Sequence, residues 1–109
     1  MAFSYHNITG SGGLSQELIA PGSDAEQLNS IVITNTSGST TADFSLFLQS
    51  NPESGDAVAT ETYYILRKAQ IPIYASILID DKALLKFDNN KYGLYISVAS
   101  GDTVDILIN

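Results

Sequence analysis

The sequence predicts an all-β domain, an antiparallel β-sandwich or jelly-roll-like fold of about seven or eight short strands. Three observations predict it. Val, Ile, Thr, Tyr and Phe dominate the structured stretches, and these residues suit a pleated, half-buried surface. Clusters of Gly, Ser, Asn and Asp interrupt them at short intervals, the rhythm of strands joined by turns. The apolar residues also recur with period two, which puts alternate side chains on opposite faces of a strand.

Taken in order, residues 1–13 are polar and end in Gly10-Ser11-Gly12-Gly13, which reads as a flexible N-terminal arm before a β-sandwich domain over 14–109. Residues 14–20 form a first strand, closed by the turn signal Pro21-Gly22. Residues 28–35 form the next, with either Leu28 and Val32 or Ile31 and Ile33 on the apolar face. A polar turn on Ser37-Gly38-Ser39 leads to a strand over 42–49, with Phe44, Leu46 and Leu48 on one face and Phe47 on the other. Residues 51–56, with Pro52 and Gly55, are a loop.

Residues 62–69 admit a helix opened by Asp56, with Val58, Thr62, Ile65 and Ala69 on one side. The pair Tyr63-Tyr64 before Ile65 prefers a strand. Residues 71–79 alternate Ile71, Ile73, Ala75, Ile77 and Ile79 on one face, and Pro72 sets the start of the strand or an edge. A short strand over 83–87 lies between turns at Asp80-Asp81 and Asp88-Asn89-Asn90. Residues 92–99 place Tyr92, Leu94, Ile96 and Val98 together. A tight turn at Ser100-Gly101-Asp102 leads to 103–109, with Val104, Ile106 and Ile108 inward and Asp105 outward.

Composition narrows the function. The 109 residues suffice for one domain with one modest core. The net charge is −7, and the basic residues are only Arg67, Lys68, Lys82, Lys86 and Lys91, too few for the clustered cationic surface that a nucleic acid needs. The chain has no cysteine, so disulfides and thiolate chemistry are excluded. The start lacks a signal-peptide pattern, and no apolar run approaches the roughly 20 residues of a membrane helix. Neither nucleic acid nor membrane is an expected partner. Asn7-Ile8-Thr9 and Asn35-Thr36-Ser37 match glycosylation sequons, but read as chance without an export signal.

No catalytic constellation emerges. The single histidine, His6, falls in the expected arm with nothing to orient it. Asp80, Asp81, Asp88, Asn89 and Asn90 offer oxygen ligands of the kind a calcium ion takes, but lack the spacing of an EF-hand loop, and turn formation accounts for them. No metal and no cofactor are therefore expected, and the chain is read as a non-enzyme. The aromatic residues say more. Phe47, Tyr64, Tyr74 and Tyr95 each fall opposite the expected core face of their strand, which makes them candidates for a protein–protein interface. A platform for stacking on sugar rings is the alternative.

One further pattern runs along the chain. Ala20-Pro21-Gly22 precedes Ser30-Ile31-Val32-Ile33-Thr34-Asn35-Thr36-Ser37-Gly38. Tyr63-Tyr64-Ile65-Leu66, Ile71-Pro72, a short strand after Asp80-Asp81 and Tyr92-Gly93-Leu94-Tyr95-Ile96-Ser97-Val98-Ala99-Ser100 follow, and Val104-Asp105-Ile106-Leu107-Ile108 closes it. This order resembles the β-sandwich of virion structural proteins of tailed bacteriophages, including head decoration (cement) proteins and tail or neck components. The resemblance covers residues 14–109 and is one of hydrophobicity and turns rather than a signature motif. It implies a virion protein made in the host cytoplasm, a capsid decoration protein first and a tail, neck or fibre component second. It also implies a homo-oligomer whose partners are the major capsid protein or tail components. It carries no catalytic residues. Residues 1–13 have no counterpart in it, and deleting 2–12 is expected to leave the domain folded while weakening incorporation into particles.

Overall fold

The computed structural model describes residues 4–10, 15–23, 28–50 and 62–109. Eight strands build it: β1 (Ser4–Thr9), β2 (Ser15–Ile19), β3 (Ile31–Asn35), β4 (Ala42–Ser50), β5 (Thr62–Ile71), β6 (Ser76–Ile79), β7 (Tyr92–Val98) and β8 (Thr103–Ile108). They form two four-stranded antiparallel sheets, in the orders β1-β8-β3-β6 and β2-β7-β4-β5. The pairs β1·β8, β2·β7, β3·β6 and β4·β5 are those of one long hairpin whose tip lies between β4 and β5. Rolling that hairpin adds the contacts β8·β3 and β7·β4 and separates the sheets. The result is a jelly roll.

Inward residues of both sheets meet in one core. Ile31, Ile33, Val104, Ile106 and Ile108 come from the first sheet, and Phe44, Leu46, Leu94, Ile96 and Val98 from the second. Thus Ile31 and Ile33 carry the apolar face of β3, while Val32 points outward. The strands expected over 14–20, 28–35, 42–49, 62–69, 92–99 and 103–109 are present with ends moved by a few residues.

Three expectations need correction. Residues 4–9 are not an arm: β1 pairs along its whole length with β8, from Ser4 on Ile108 to Thr9 on Thr103, and buries Ile8. Its polar composition is that of an edge strand with only one strongly apolar inward residue, so it carries no hydrophobic run. His6 is accordingly held within a strand.

The alternation over 71–79 is real but spans two strands. Ile71 ends β5 in one sheet, and β6 begins at Ser76 in the other. Pro72 has no amide hydrogen for a ladder, and the Ala75 amide donates to its carbonyl at 3.1 Å, closing a corner. Ile73 is left exposed at that corner.

No strand forms over 83–87. The amides of Leu84 and Leu85 both donate to the Asp81 carbonyl, at 3.0 and 3.2 Å, and this turn buries Leu85. The expected loop over 51–56, the helix option opened by Asp56 and the glycine-rich segment 11–13 lie outside the described residues.

Candidate interaction surfaces

The outer face of the second sheet carries an aromatic row. Register places Phe47 of β4 between Tyr64 of β5 and Tyr95 of β7, with Glu17 of β2 beyond Tyr95. The aromatic row spans β5, β4 and β7, and Glu17 continues it on β2. The rings of Phe47 and Tyr64 lie 5.4 Å apart and tilted, and those of Phe47 and Tyr95 lie 6.2 Å apart and stacked. Phe47 points outward, yet is only 4% exposed because both neighbours cover it. It anchors the row, and Tyr64, 47% exposed, presents it to solvent. The Arg67 guanidinium sits over the Tyr64 ring at 4.9 Å, an arrangement favoured by the ring quadrupole.

Gly93, two residues before Tyr95 on β7, leaves space beside the Tyr95 ring. A Cβ at that position would come within 2.6 Å of the Ile19 carbonyl oxygen and 3.0 Å of the Tyr95 ring. The Tyr95 hydroxyl donates to Glu17 Oε2 at 3.4 Å. Burial, then the negative charge of Glu17 and this hydrogen bond, push the Tyr95 phenol above its ordinary pKa.

A cleft of about 430 Å³ adjoins the row, lined in part by Ser45, Ser97, Asp43, Gln70 and Lys68. It borders a bulge. Arg67 and Lys68 of β5 together oppose Ser45 of β4, and Lys68 adopts φ 51°. The Lys68 amide that the bulge removes from the ladder donates to Ser45 Oγ at 2.9 Å.

Tyr74 lies elsewhere. It occupies the corner after β5 with φ 56° and is 73% exposed. Its ring rests against Gly38, where any Cβ would collide with the hydroxyl. Of the four aromatic candidates, the structure therefore brings Phe47, Tyr64 and Tyr95 together and leaves Tyr74 apart, pinned to the β3–β4 turn.

The first sheet has an outer row that sequence reading missed. Tyr5 of β1 opposes Leu107 of β8, Leu107 opposes Val32 of β3, and Val32 opposes Leu78 of β6. This row crosses all four strands of its sheet. Tyr5, Leu107 and Leu78 are exposed, Tyr5 by 68% and Leu78 by 60%. The next rung is polar: the Asn7 amide donates to Asp105, and the Thr34 and Ser76 hydroxyls lie 2.7 Å apart. The signal lay in strands whose two faces are both apolar, such as 103–109, where Leu107 breaks the alternation. On the open side of the sandwich, an apolar groove of about 310 Å³ runs between β5 and β6, lined by Ile65, Leu66, Ile77, Leu78 and Leu84 among others.

Sites for chemistry are sparse. Ser4 Oγ and His6 Nε2 lie 2.7 Å apart on β1, but no carboxylate among the described residues holds the other ring nitrogen, as a general base requires. The acidic turns serve as turns. Asp81 Oδ1 accepts from the Ala83 amide and Asp88 Oδ1 from the Asn90 amide. Among the described residues, no three His, Cys, Asp or Glu side chains gather as a metal ligand set.

Asn89, considered above as a calcium ligand, is buried. Its amide donates to the carbonyls of Ala20 and Tyr92 at 3.1 and 3.0 Å. Asn35 is buried likewise, and its amide faces the carbonyls of Thr40, Ile71 and Pro72. A side chain so engaged is not open to glycosylation.

No protein-family model and no curated protein matches the chain.

Proposed function

We propose that this protein is a non-enzymatic structural component of a tailed-phage virion, most specifically a capsid decoration or cement protein. One observation carries the reading: both outer faces of the jelly roll bear an apolar or aromatic row, across four strands of the first sheet and three of the second, whereas the described residues hold no oriented catalytic group. Contiguous exposed apolar surface marks interaction sites. The jelly roll is an architecture that viral capsid domains use, although lectins and cupins use it too, so the surfaces rather than the fold support the function. Docking on a capsid lattice would bury these rows and stabilise the shell by mass action. A tail, neck or fibre location uses the same surfaces.

Gene neighbourhood tests the class. A position beside capsid, portal or tail genes is expected, and a setting with no virion genes would discard the reading. Immunogold labelling of particles then separates head from tail.

A second reading, a small carbohydrate-binding module, draws on the exposed Tyr64 and on the nearby cleft of about 430 Å³, whose lining mixes Phe44 and Ala99 with Asp43, Ser45, Gln70 and Ser97. Binding on a glycan array that disappears in Tyr64→Ala would replace the first reading with this one.

A further inference from the structure

A jelly roll leaves four strand edges open, and this one treats them unequally. β5 is bent by register shifts at Phe44/Leu46 and Leu46/Phe47 and carries Arg67 and Lys68. β2 shifts register between Glu17 and Ile19 and carries an acidic side chain. β6 has only 4 residues. Bulges, charges and shortness are the devices by which proteins prevent edge-to-edge pairing.

β1 has none of them. Its 6 residues, Ser-Tyr-His-Asn-Ile-Thr, pair with β8 without a register shift, and they include no Asp, Glu, Lys, Arg or Pro. Among the described residues no strand covers its other side.

We propose that β1 is a homotypic docking edge, where two copies of this chain pair antiparallel across a twofold axis to form one continuous eight-stranded sheet. Charge and register favour a second copy as the occupant. The chain carries a net charge of −7, which opposes self-association through most of its surface. The outer face of this sheet is nearly neutral: Asp105 is the one charged residue among its outward strand positions, and the Asn7 amide engages it.

The strand is also self-complementary. A twofold axis normal to the sheet at His6 sets Ser4 of one copy opposite Ile8 of the other, Tyr5 opposite Asn7, and His6 opposite His6. Inward residues then meet inward ones and outward meet outward, as antiparallel pairing demands. Each Tyr5 also reaches the other on the diagonal. The two apolar rows thereby meet, and the most exposed end of each becomes covered. A single strand pair falls below the roughly 1,200 Å² of a standard stable interface, so the dimer is weak alone and strengthened by assembly. The inference goes beyond the virion reading and does not depend on it.

The absence of cysteine makes the test direct. Opposed residues in an antiparallel pair lie about 4.5–5.5 Å apart at Cα, within disulfide range. The full chain carrying His6→Cys should yield a disulfide-linked dimer under mild oxidation, and Thr62→Cys at the β5 edge should not. Sedimentation over a concentration series should show a monomer–dimer equilibrium weakened about tenfold or more by Tyr5→Lys, with an unchanged circular dichroism spectrum. If Tyr5→Lys fails to fold, Asn7→Lys carries the same comparison. A monomer at every concentration overturns the proposal. So does equal cross-linking at Thr62→Cys, or a dimer indifferent to the lysine, which would assign association to another surface.

Discussion

Two buried asparagines hold the corners of this fold. Asn35 closes the turn after β3 through its own Oδ1, which accepts from the Ser37 amide, and clasps the β5–β6 corner through its amide. Truncation strands buried carbonyls, so Asn35→Ala should cost about 1–3 kcal/mol in a urea titration. Asn35→Asp should cost more at neutral pH, because a carboxylate would then face the carbonyls that the amide now satisfies, and acid should relieve part of that loss.

Tyr95 yields a pH prediction. Its phenol is raised above the ordinary value, so the folded state holds the proton more firmly than the unfolded chain. The resulting stability is fully present below about pH 10, the ordinary value, and is lost as pH rises through the folded one. Thermal melts should be insensitive to this group at neutral pH and fall in alkali, and Tyr95→Phe should lessen the alkaline loss.

At the scale of the element, β5 and β1 differ in how they meet their neighbours. Lys68 sits in the left-handed region that L side chains adopt only at a cost. Lys68→Gly should therefore keep the bulge and change stability by no more than about 1 kcal/mol in favour of folding, whereas Lys68→Val should destabilise. β1 is a structural strand, so the expectation that residues 2–12 can be deleted without harm to the fold is withdrawn. Ile8→Ala alone should cost about 2 kcal/mol or more in chemical denaturation, and removing the strand should expose the edge of β8 and cost further. The virion reading keeps no separate role for a flexible arm over 4–9.

For the molecule as a whole, the topology couples distant parts of the chain. β1 pairs with β8 and β2 with β7, so closing either sheet brings together residues near opposite ends of the sequence. Such pairings repay their loop-closure entropy late, and refolding should fall in the range of about milliseconds to seconds in stopped-flow measurements. The distribution of charge works at the same scale. The net charge of −7 opposes non-specific association of copies, while the nearly neutral outer face of one sheet and the aromatic row of the other leave surface for specific contact.

Much of this was legible from residue order. Alternation over 42–49, 92–99 and 103–109 identified which side chains share a face, because a strand has period two whatever it pairs with. The same alternation put Phe47, Tyr64 and Tyr95 on an outer face, and only the register across β5, β4 and β7 showed that they form one row with Phe47 covered. Periodicity also ran straight through the Pro72 corner, since it does not register a change of sheet.

Residue order alone was enough for an all-β sandwich, several of its turns and most of its core. Tertiary structure alone decided the jelly-roll order, the role of β1, the engagement of His6 with Ser4, and the line of Tyr5, Leu107, Val32 and Leu78 across the first sheet. Backbone hydrogen bonds are the reason. They are nearly identical for every residue, so the identity of a strand's neighbour is written in the packing of the whole molecule and not in the strand.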